Sequence, residues 1–293
     1  MTYNAPYTTP IPTQWVGPIK IVGEVMDEEV RVPMATYESP LWPSTGRGAK
    51  ISRLCGGIRC SLVDERMVRS VSLRAANGAE ATQAWRSLES RFDELAAVVA
   101  TTSRFTRLIE INRQIVGNLL YLRFECATGD ASGHNMVTKA ADALISWILA
   151  EYPQLSYSSI SGNFCTDKKV SAVNALLGRG KYVIAEIEIP RDICASRLRT
   201  TPEKMVTLNM EKNLIGGNIA GSLRSANAHF ANMLLAFFLA TGQDAANIIE
   251  GSQGIVHCEA REDSLYFSCT LPNLIIGSTG SGKGNTQAAS HAS

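Results

Sequence analysis

The stretch Ser161-Gly162-Asn163-Phe164-Cys165-Thr166-Asp167-Lys168-Lys169 sets two adjacent lysines behind an aspartate, directly before the helical pattern VSAVNALLGRGK. Asp167 suits an N-cap, whose carboxylate accepts orphan backbone N–H groups of a first turn. The two lysines would then stand at the positive end of a helix dipole, disfavoured there by a few tenths to about 1 kcal/mol. Either they are two solvated surface lysines, or a functional site has overridden the local rule.

Other stretches could also hold a ligand. Gly277-Ser278-Thr279-Gly280-Ser281-Gly282-Lys283-Gly284 comes close to the phosphate-binding pattern G-x-x-x-x-G-K-[ST], with Gly where the metal-binding hydroxyl belongs. The expectation is a backbone cradle for a phosphate-bearing cofactor or a plain flexible loop, and not a nucleoside triphosphatase. Gly129-Asp130-Ala131-Ser132-Gly133-His134-Asn135-Met136 sits between a strand pattern and a helix pattern. Its glycines permit close backbone approach and the helix N-terminus attracts an anion, although such loops also serve as caps. Ser103-Arg104 could supply a phosphate ligand from a neighbouring loop, or Arg104 could simply be exposed. Ser44 and Arg47 could bind an anion in a loop whose prolines and glycines equally explain themselves. His229 and Asn232, with Asn227 before them, fall on an apolar helix pattern, either as a satisfied polar network or as a substrate-facing cluster. The four histidines are too scattered for a metal site.

The elements that must position these groups follow from periodicity. EVRVPMATYES alternates like a strand up to Pro33, with Glu38 at its end, and AKISRLCGGIRCS reads as a packed helix and turn. MVRSVSL is a strand, and AEATQAWRSLESRFDELAAVVATTS one long amphipathic helix. RLIEINRQI and LLYLRFECA form a hairpin, NMVTKAADALISWILAEY a second helix, and QLSYSSIS a fourth strand. This β-α-β-β-α-β order is that of a ferredoxin-like unit, expected as a small domain over residues 67–160, inserted into a large one made of 1–66 and 161–293. KYVIAEIEIP is a strand. TPEKMVTLNMEKNLIGGNIAGS starts helical and breaks at Gly216-Gly217. Residues 223–241 form an apolar helix stopped by Gly242, and Asp244 caps the next. The fold class is therefore α+β, a large mixed α/β domain carrying an inserted ferredoxin-like one.

A chain of 293 residues with 45% hydrophobic and 19% charged side chains can build a large core. A net charge of +1 gives no electrostatic case for nucleic acid or an anionic membrane as partner. No apolar run reaches a membrane-spanning length, and the N-terminus lacks a signal peptide's apolar centre. Seven cysteines without a C-x-x-C pair point to buried free thiols and a cytoplasmic setting.

VPMATYES, GDASGHNM, SGNFCTDKK, EKNLIGGNIAGS, NAHFAN, ATGQDAAN and IIGSTGSGKG occur in an order and spacing that resemble 3-hydroxy-3-methylglutaryl-coenzyme A reductases, from about Pro10 to Gln287. The likeness is closer to the NADPH-using class. It implies an NADPH-dependent four-electron reduction of the thioester to mevalonate and coenzyme A in isoprenoid biosynthesis, with no metal. Lys168, Glu38 and Asp244 match the catalytic lysine, glutamate and aspartate. The resemblance implies that Lys168 stabilises the oxyanion, that Glu38 donates a proton, and that Asp244 tunes both. Arg69, Ser161, Asn163, Asp167, Lys169, Lys212, His229 and Asn232 match positions around the hydroxymethylglutaryl moiety, and Ser44 and Arg47 those around coenzyme A. Ser103, Arg104, Asp130, Ser132, Gly133, His134 and Asn135, with Gly280 and Gly282 of the glycine-rich loop, fall at the NADPH site. Ser103-Arg104 would face the 2′-phosphate, and His134 stands where the family usually has Met. The small domain resembles the family's nucleotide-binding domain, and a homodimer or higher oligomer with sites at its interface is implied. The family's thiolate-protonating histidine lies beyond the glycine-rich loop, and His291 in NTQAASHAS is not matched to it. A truncated or non-catalytic homologue that binds the thioester or nucleotide without full turnover is the alternative.

Overall fold

Alternating burial along the extended segments builds two groups of strands that share one member. The computed structural model describes residues 9–24 and 26–279. Strands β1 (Thr13–Gly23) and β2 (Asp27–Ala35) precede helix α1 (Leu41–Leu54), and the long strand β3 (Ile58–Arg74) follows. Then come α2 (Gly78–Glu89), α3 (Phe92–Thr102), β4 (Arg107–Val116), β5 (Leu119–Ala127), α4 (His134–Glu151) and β6 (Ser156–Ser159). The short α5 (Ala172–Leu177) leads into β7 (Gly180–Pro190). Short helices α6 (Arg191–Ile193), α7 (Pro202–Leu208) and α8 (Gly217–Ile219) are linked by π-helical turns over Cys194–Leu198 and Asn209–Gly216. Helices α9 (Phe230–Thr241) and α10 (Ile248–Gly251) precede the closing hairpin β8 (Ile255–Ala260) and β9 (Ser264–Leu274).

The strand order β2-β1-β3-β7-β9-β8 is antiparallel except where β1 meets β3. Beyond Arg66, β3 leaves β7 and pairs instead with β5 and β6, while β4 lies outside β5. The second group thus runs β6-β3-β5-β4, antiparallel throughout. Period-two alternation divides its faces. Val71, Leu73, Leu120, Leu122 and Phe124 point at α2, α3 and α4, meeting Leu88, Val99, Leu144 and Ile148 in the largest core. Ser70, Arg123 and Glu125 point the other way and are equally buried, under residues 160–178. In the large sheet, Ile189, Val256, Cys258 and Leu265 pack beneath α7, and Met34 and Val16 beneath α1 and α9. All seven cysteines are free thiols.

Several elements differ from the sequence reading. Ser44 and Arg47 lie inside α1, because Pro43 occupies the first turn, where a missing N–H costs nothing. The expected helix and turn over 48–63 is the end of α1, a Gly56-Gly57 turn and the start of β3. The long helix of 79–103 breaks at Ser90-Arg91, where the Arg91 guanidinium reaches Glu94 and Glu151 and stacks on Trp147. Gly216-Gly217 does not end the helical path, which passes through it by a π turn. The apolar helix starts only at Phe230. Asn227 lies outside it, accepting the Phe230 N–H at 3.0 Å and donating to the carbonyls of Ser252 and Gly254. Asp167 is not an N-cap: α5 begins after Ser171, whose hydroxyl takes the capping role.

Leu144 sits fully buried at the centre of the largest core. Leu144→Ala should lower stability by about 2–5 kcal/mol, read from the midpoint of urea unfolding at unchanged slope.

Candidate active site

The lysine-bearing loop is built around left-handed backbone. Asn163, Thr166 and Lys168 all have positive φ, at 62°, 43° and 56°. Such conformations persist in non-glycine residues only when their surroundings enforce them. Here the surroundings are charged. Arg179, just after α5, sends one nitrogen to Asp167 Oδ1 at 2.6 Å and another to Glu250 Oε1 at 2.5 Å. That same Glu250 oxygen accepts the Lys168 backbone N–H at 3.1 Å and the Asn247 side chain at 3.0 Å. From below, Arg123 donates to the carbonyls of Phe164 and Gly178 and to Asn174 Oδ1. The loop is thereby held at both ends, and neither Arg179 nor Glu250 stood out in the sequence.

Held this way, Lys168 Nζ lies 2.7 Å from Asp244 Oδ2, just past the C-terminal end of α9. Asp244 also caps the next turn through Ala246 N–H. The hydrogen bond with Asp244 holds the Lys168 ammonium above its ordinary pKa of 10.5. Partial burial pushes Asp244 up, but the bonds from Lys168 and from Ala246 outweigh it and hold the carboxyl below 3.8. The pair is ionised across the whole neutral range, and it presents a positive group that keeps its charge.

Lys168 and Asp244 open into a cleft of about 720 Å³, which also receives Arg69 and the turn Ala131–Met136 from between β5 and α4. Gly133 has φ 85°, and a Cβ there would fall 2.6 Å from the Thr128 side chain. Gly277 runs against the same turn, so closely that a Cβ would meet Ser132 N at 2.4 Å. Gln243 clamps Gly277 through both its amide atoms, and the N–H groups of Ser278 and Thr279 reach the Asp130 carbonyl. Gly280 and Gly282, like His291, lie outside the described residues. His134 opens α4 with its Nε2 buried, 3.8 Å from Asp167 Oδ1 and without a hydrogen bond. Burial, and then Arg179, hold its imidazole below the usual 6.5. Asn135 is exposed beside it. Ser103 and Arg104 follow α3 and do not line the cleft; Lys139 of α4 donates to the neighbouring Thr102 carbonyl, and Arg104 lies over Phe105.

The remaining expected residues divide between this cleft and the far end of α9. Arg69 donates to the Ile160 carbonyl next to Ser161, and Lys169 turns back onto the Asp167 carbonyl. Glu38 instead accepts a hydrogen bond from Asn232 at 3.0 Å, near the N-terminal end of α9, where His229 holds the N-cap position without a side-chain cap bond. Ser44 and Arg47 follow Glu38 on α1, which meets α9 at Thr45 and Met233. Asn232 and Asp244 are separated by most of α9, about 15 Å at 1.5 Å per residue. Within one chain, therefore, Glu38 does not join Lys168 and Asp244, and the expected crowding of two carboxylates and a lysine is not formed. Lys212, exposed on the π-helical turn, does not line the cleft either. Among the described residues no cluster of histidine, cysteine and carboxylates could hold a metal ion, and no helix is long and apolar enough to cross a membrane.

Three comparisons bear on this geometry. The family model for hydroxymethylglutaryl-coenzyme A reductase matches residues 5–292. The 3-hydroxy-3-methylglutaryl-coenzyme A reductase of Pyrococcus horikoshii is 45% identical over 93% of the chain, and that of Aeropyrum pernix 42% identical over 93%. The chain spans 66% and 65% of the lengths of those two proteins, and 50% of reductase 1 of Dictyostelium discoideum, to which it is 40% identical. Among solved structures, the class II reductase of Streptococcus pneumoniae, bound to NADPH in open conformations, superposes with a TM-score of 0.73. It is 19% identical, and the match covers 98% of this chain and 78% of that one, a likeness of fold.

The ion pair gives a direct test. A raised lysine pKa keeps its contribution in full below 10.5 and loses it as pH rises through the higher folded value, whereas Asp244 loses its share only as pH falls through a value under 3.8. Asp244→Asn removes the raising partner. Lys168 should then react with an amine-acylating reagent at lower pH than in the parent chain, as site-resolved mass spectrometry would read.

Proposed function

The chain belongs to the hydroxymethylglutaryl-coenzyme A reductase family, and from that premise we propose that it reduces 3-hydroxy-3-methylglutaryl-coenzyme A to mevalonate and coenzyme A with NADPH. The observation that carries this reading is the Lys168–Asp244 pair, permanently charged, at the wall of a cleft whose other wall is a glycine-backed turn. A thioester or aldehyde carbonyl gains negative charge on oxygen as hydride reaches its carbon. A preorganised ammonium at that oxygen lowers the barrier without needing to move.

The cleft fits a dinucleotide. Gly133 and Gly277 allow backbone to approach a ligand where no side chain would fit, and the positive end of the 18-residue α4 faces the same space. In this reading residues 67–160, with strand order β6-β3-β5-β4, form an inserted ferredoxin-like NADP-binding domain, and residues 1–66 and 161–293 the large substrate domain. Bound NADPH supplies the hydrides. Asp130, Ser132, Gly133, His134 and Asn135 would border it, with Gly280 and Gly282 following on. Arg104, next to Ser103 after α3, would pair with the 2′-phosphate. Arg69, Ser161, Asn163, Asp167 and Lys169 would hold the acyl end of the substrate.

The substrate must also reach Glu38, Ser44, Arg47, Lys212, His229 and Asn232, and for that we propose a second copy of the chain. Two features favour it. The two groups of residues stand about 15 Å apart along α9 within one chain. Residues 208–219 also expose Leu208, Met210, Leu214, Ile215 and Ile219, the last 82% accessible, around Lys212. A contiguous apolar face of that kind marks an interaction surface.

NADPH consumption with the thioester and, separately, with mevaldehyde tests the reading; no consumption with either would sink it. Arg104→Ala should weaken NADPH about 10- to 100-fold, the worth of a charge-assisted bond, and leave NADH nearly unchanged. Glu38→Gln and Lys168→Met, each inactive alone, should regain part of the activity when mixed and reassembled. Absence of recovery in a mixture shown to exchange subunits would refute the shared site.

A further inference from the structure

Gln243 joins the two walls of the cleft. Its backbone N–H donates to the Phe238 carbonyl at 2.9 Å, behind Gly242 in its left-handed turn, which ties it to the end of α9. Phe238 is itself fully buried, so this end of the link is anchored in the core. The Gln243 side chain then pairs with a peptide group as a neighbouring strand would. Nε2 donates to the Gly277 carbonyl at 2.9 Å, and Oε1 accepts the Gly277 N–H at 3.1 Å. Gly277 is buried, so both of its polar backbone groups need partners, and one planar amide supplies them. From Gly277 the link passes to the turn at the start of α4. Gly277 packs on Ser132 and Ala131 too closely for a side chain, and the Ser278 and Thr279 N–H groups reach the Asp130 carbonyl at 2.9 and 3.3 Å. At the other end stands Asp244, the next residue along the chain, which holds the Lys168 ammonium. Consecutive Cα atoms are fixed about 3.8 Å apart. One short path therefore runs from the ammonium through Asp244, Gln243 and Gly277 to the turn 130–133. The approach of His134 to Asp167, at 3.8 Å, is too long to be a second such bond.

Resting on the reductase reading above, we propose that Gln243 is a positioning residue that sets the distance between Lys168 and the turn that would border NADPH. It acts through the two walls and not on the reacting carbonyl. Hydride transfer requires its two carbons in near contact, and a misplacement of about 1 Å can cost about 10²-fold in rate. The ammonium needs the same precision, since it acts by being in place before charge develops on oxygen. Loosening the link leaves each wall intact, because the Arg179 clamp still holds the lysine loop and α4 still carries the turn. The loss therefore falls on turnover more than on binding.

Two substitutions separate this role from a merely structural one. Gln243→Ala removes the link. With mevaldehyde it should lower kcat about 10- to 100-fold, change the NADPH KM less than about 3-fold, and raise the isotope effect from NADPH deuterated at the transferred position. In the protein without ligand, hydrogen exchange should quicken at residues 277–279 and 130–133, while the acylation profile of Lys168 stays that of the parent. Gln243→Glu keeps the shape and makes the link titratable. A protonated carboxyl donates to the Gly277 carbonyl and accepts its N–H as the amide does, whereas a carboxylate sets two acceptors against that carbonyl. The ratio of its turnover to the parent's should be highest near about pH 5 and fall as pH rises through the introduced carboxyl's pKa. Should Gln243→Ala fail to fold, this pH course decides alone. Parent-like turnover in Gln243→Ala, a loss confined to NADPH affinity, or a Gln243→Glu ratio independent of pH would overturn the proposal and leave the reductase reading standing. A parent chain inactive on both mevaldehyde and the thioester would overturn the reductase reading, and this role with it.

Discussion

The site depends on one buried guanidinium. The Arg179 side chain is 2% accessible and joins Asp167 to Glu250, which is itself fully buried. Each such charge costs several kcal/mol to remove from water, and the cost is offset only when its partners are all present. Burial pushes the Glu250 carboxyl up, and Arg179 and the N–H groups it accepts from pull against that rise. The clamp therefore forms as a unit. Arg179 arrives with the start of β7 and Asp167 with the loop 12 residues before it, whereas Glu250 comes with α10, 71 residues further on. What the unit accomplishes is local: it fixes the Lys168 backbone in a left-handed turn that costs an L-residue roughly 1–2 kcal/mol, and so aims the ammonium at Asp244.

The second strand group supplies the floor on which this loop rests. One face is apolar and covered by helices. The other buries Arg123 and Glu125, 2.8 Å apart, with Arg66 joining Glu125 at 2.5 Å and reaching Asp64. A sheet face with such groups cannot be covered by a hydrophobic layer, since every one of them needs a partner. Residues 160–178 meet that need with carbonyls and the Asn174 amide. Gly162 shows how tightly: a Cβ there would lie 2.8 Å from the Val71 backbone. The loop is shaped by polar complementarity from beneath and by the Arg179 clamp from above.

What the sequence made legible is what depends on neighbours in the chain. The hairpin β4–β5 and helix α4 were readable because their periods run uninterrupted over nine or more residues. Asp167-Lys168 looked like a helix start because Asp before a helical pattern usually is one. The actual cap is Ser171, four residues on, since Asp167 is committed to Arg179. Arg179 and Glu250 passed unnoticed in GRGK and IIEG, where a single charge next to glycine has no local signature. Their one clue was the apolar setting of each. Similarly β3 was read as two elements, because its alternation changes sense where it exchanges one set of partners for another. The division of the proposed site residues between the two ends of α9 could not be read from spacing at all, because it is set by how α1 lies across that helix.

Strand β3 has a mechanical consequence. It crosses from one strand group to the other without a break, 17 residues laddered first to β7 and then to β5 and β6, so this crossing cannot flex without tearing paired hydrogen bonds. The chain returns between the two groups through residues 160–179, and that return carries Lys168. With one crossing stiff in bending, relative rotation of the two groups is confined to torsion about β3, and the return segment must absorb the displacement. Any such rotation would move the ammonium against the turn at His134 and so change the width of the cleft, coupling the posture of the whole chain to the position of a single charge.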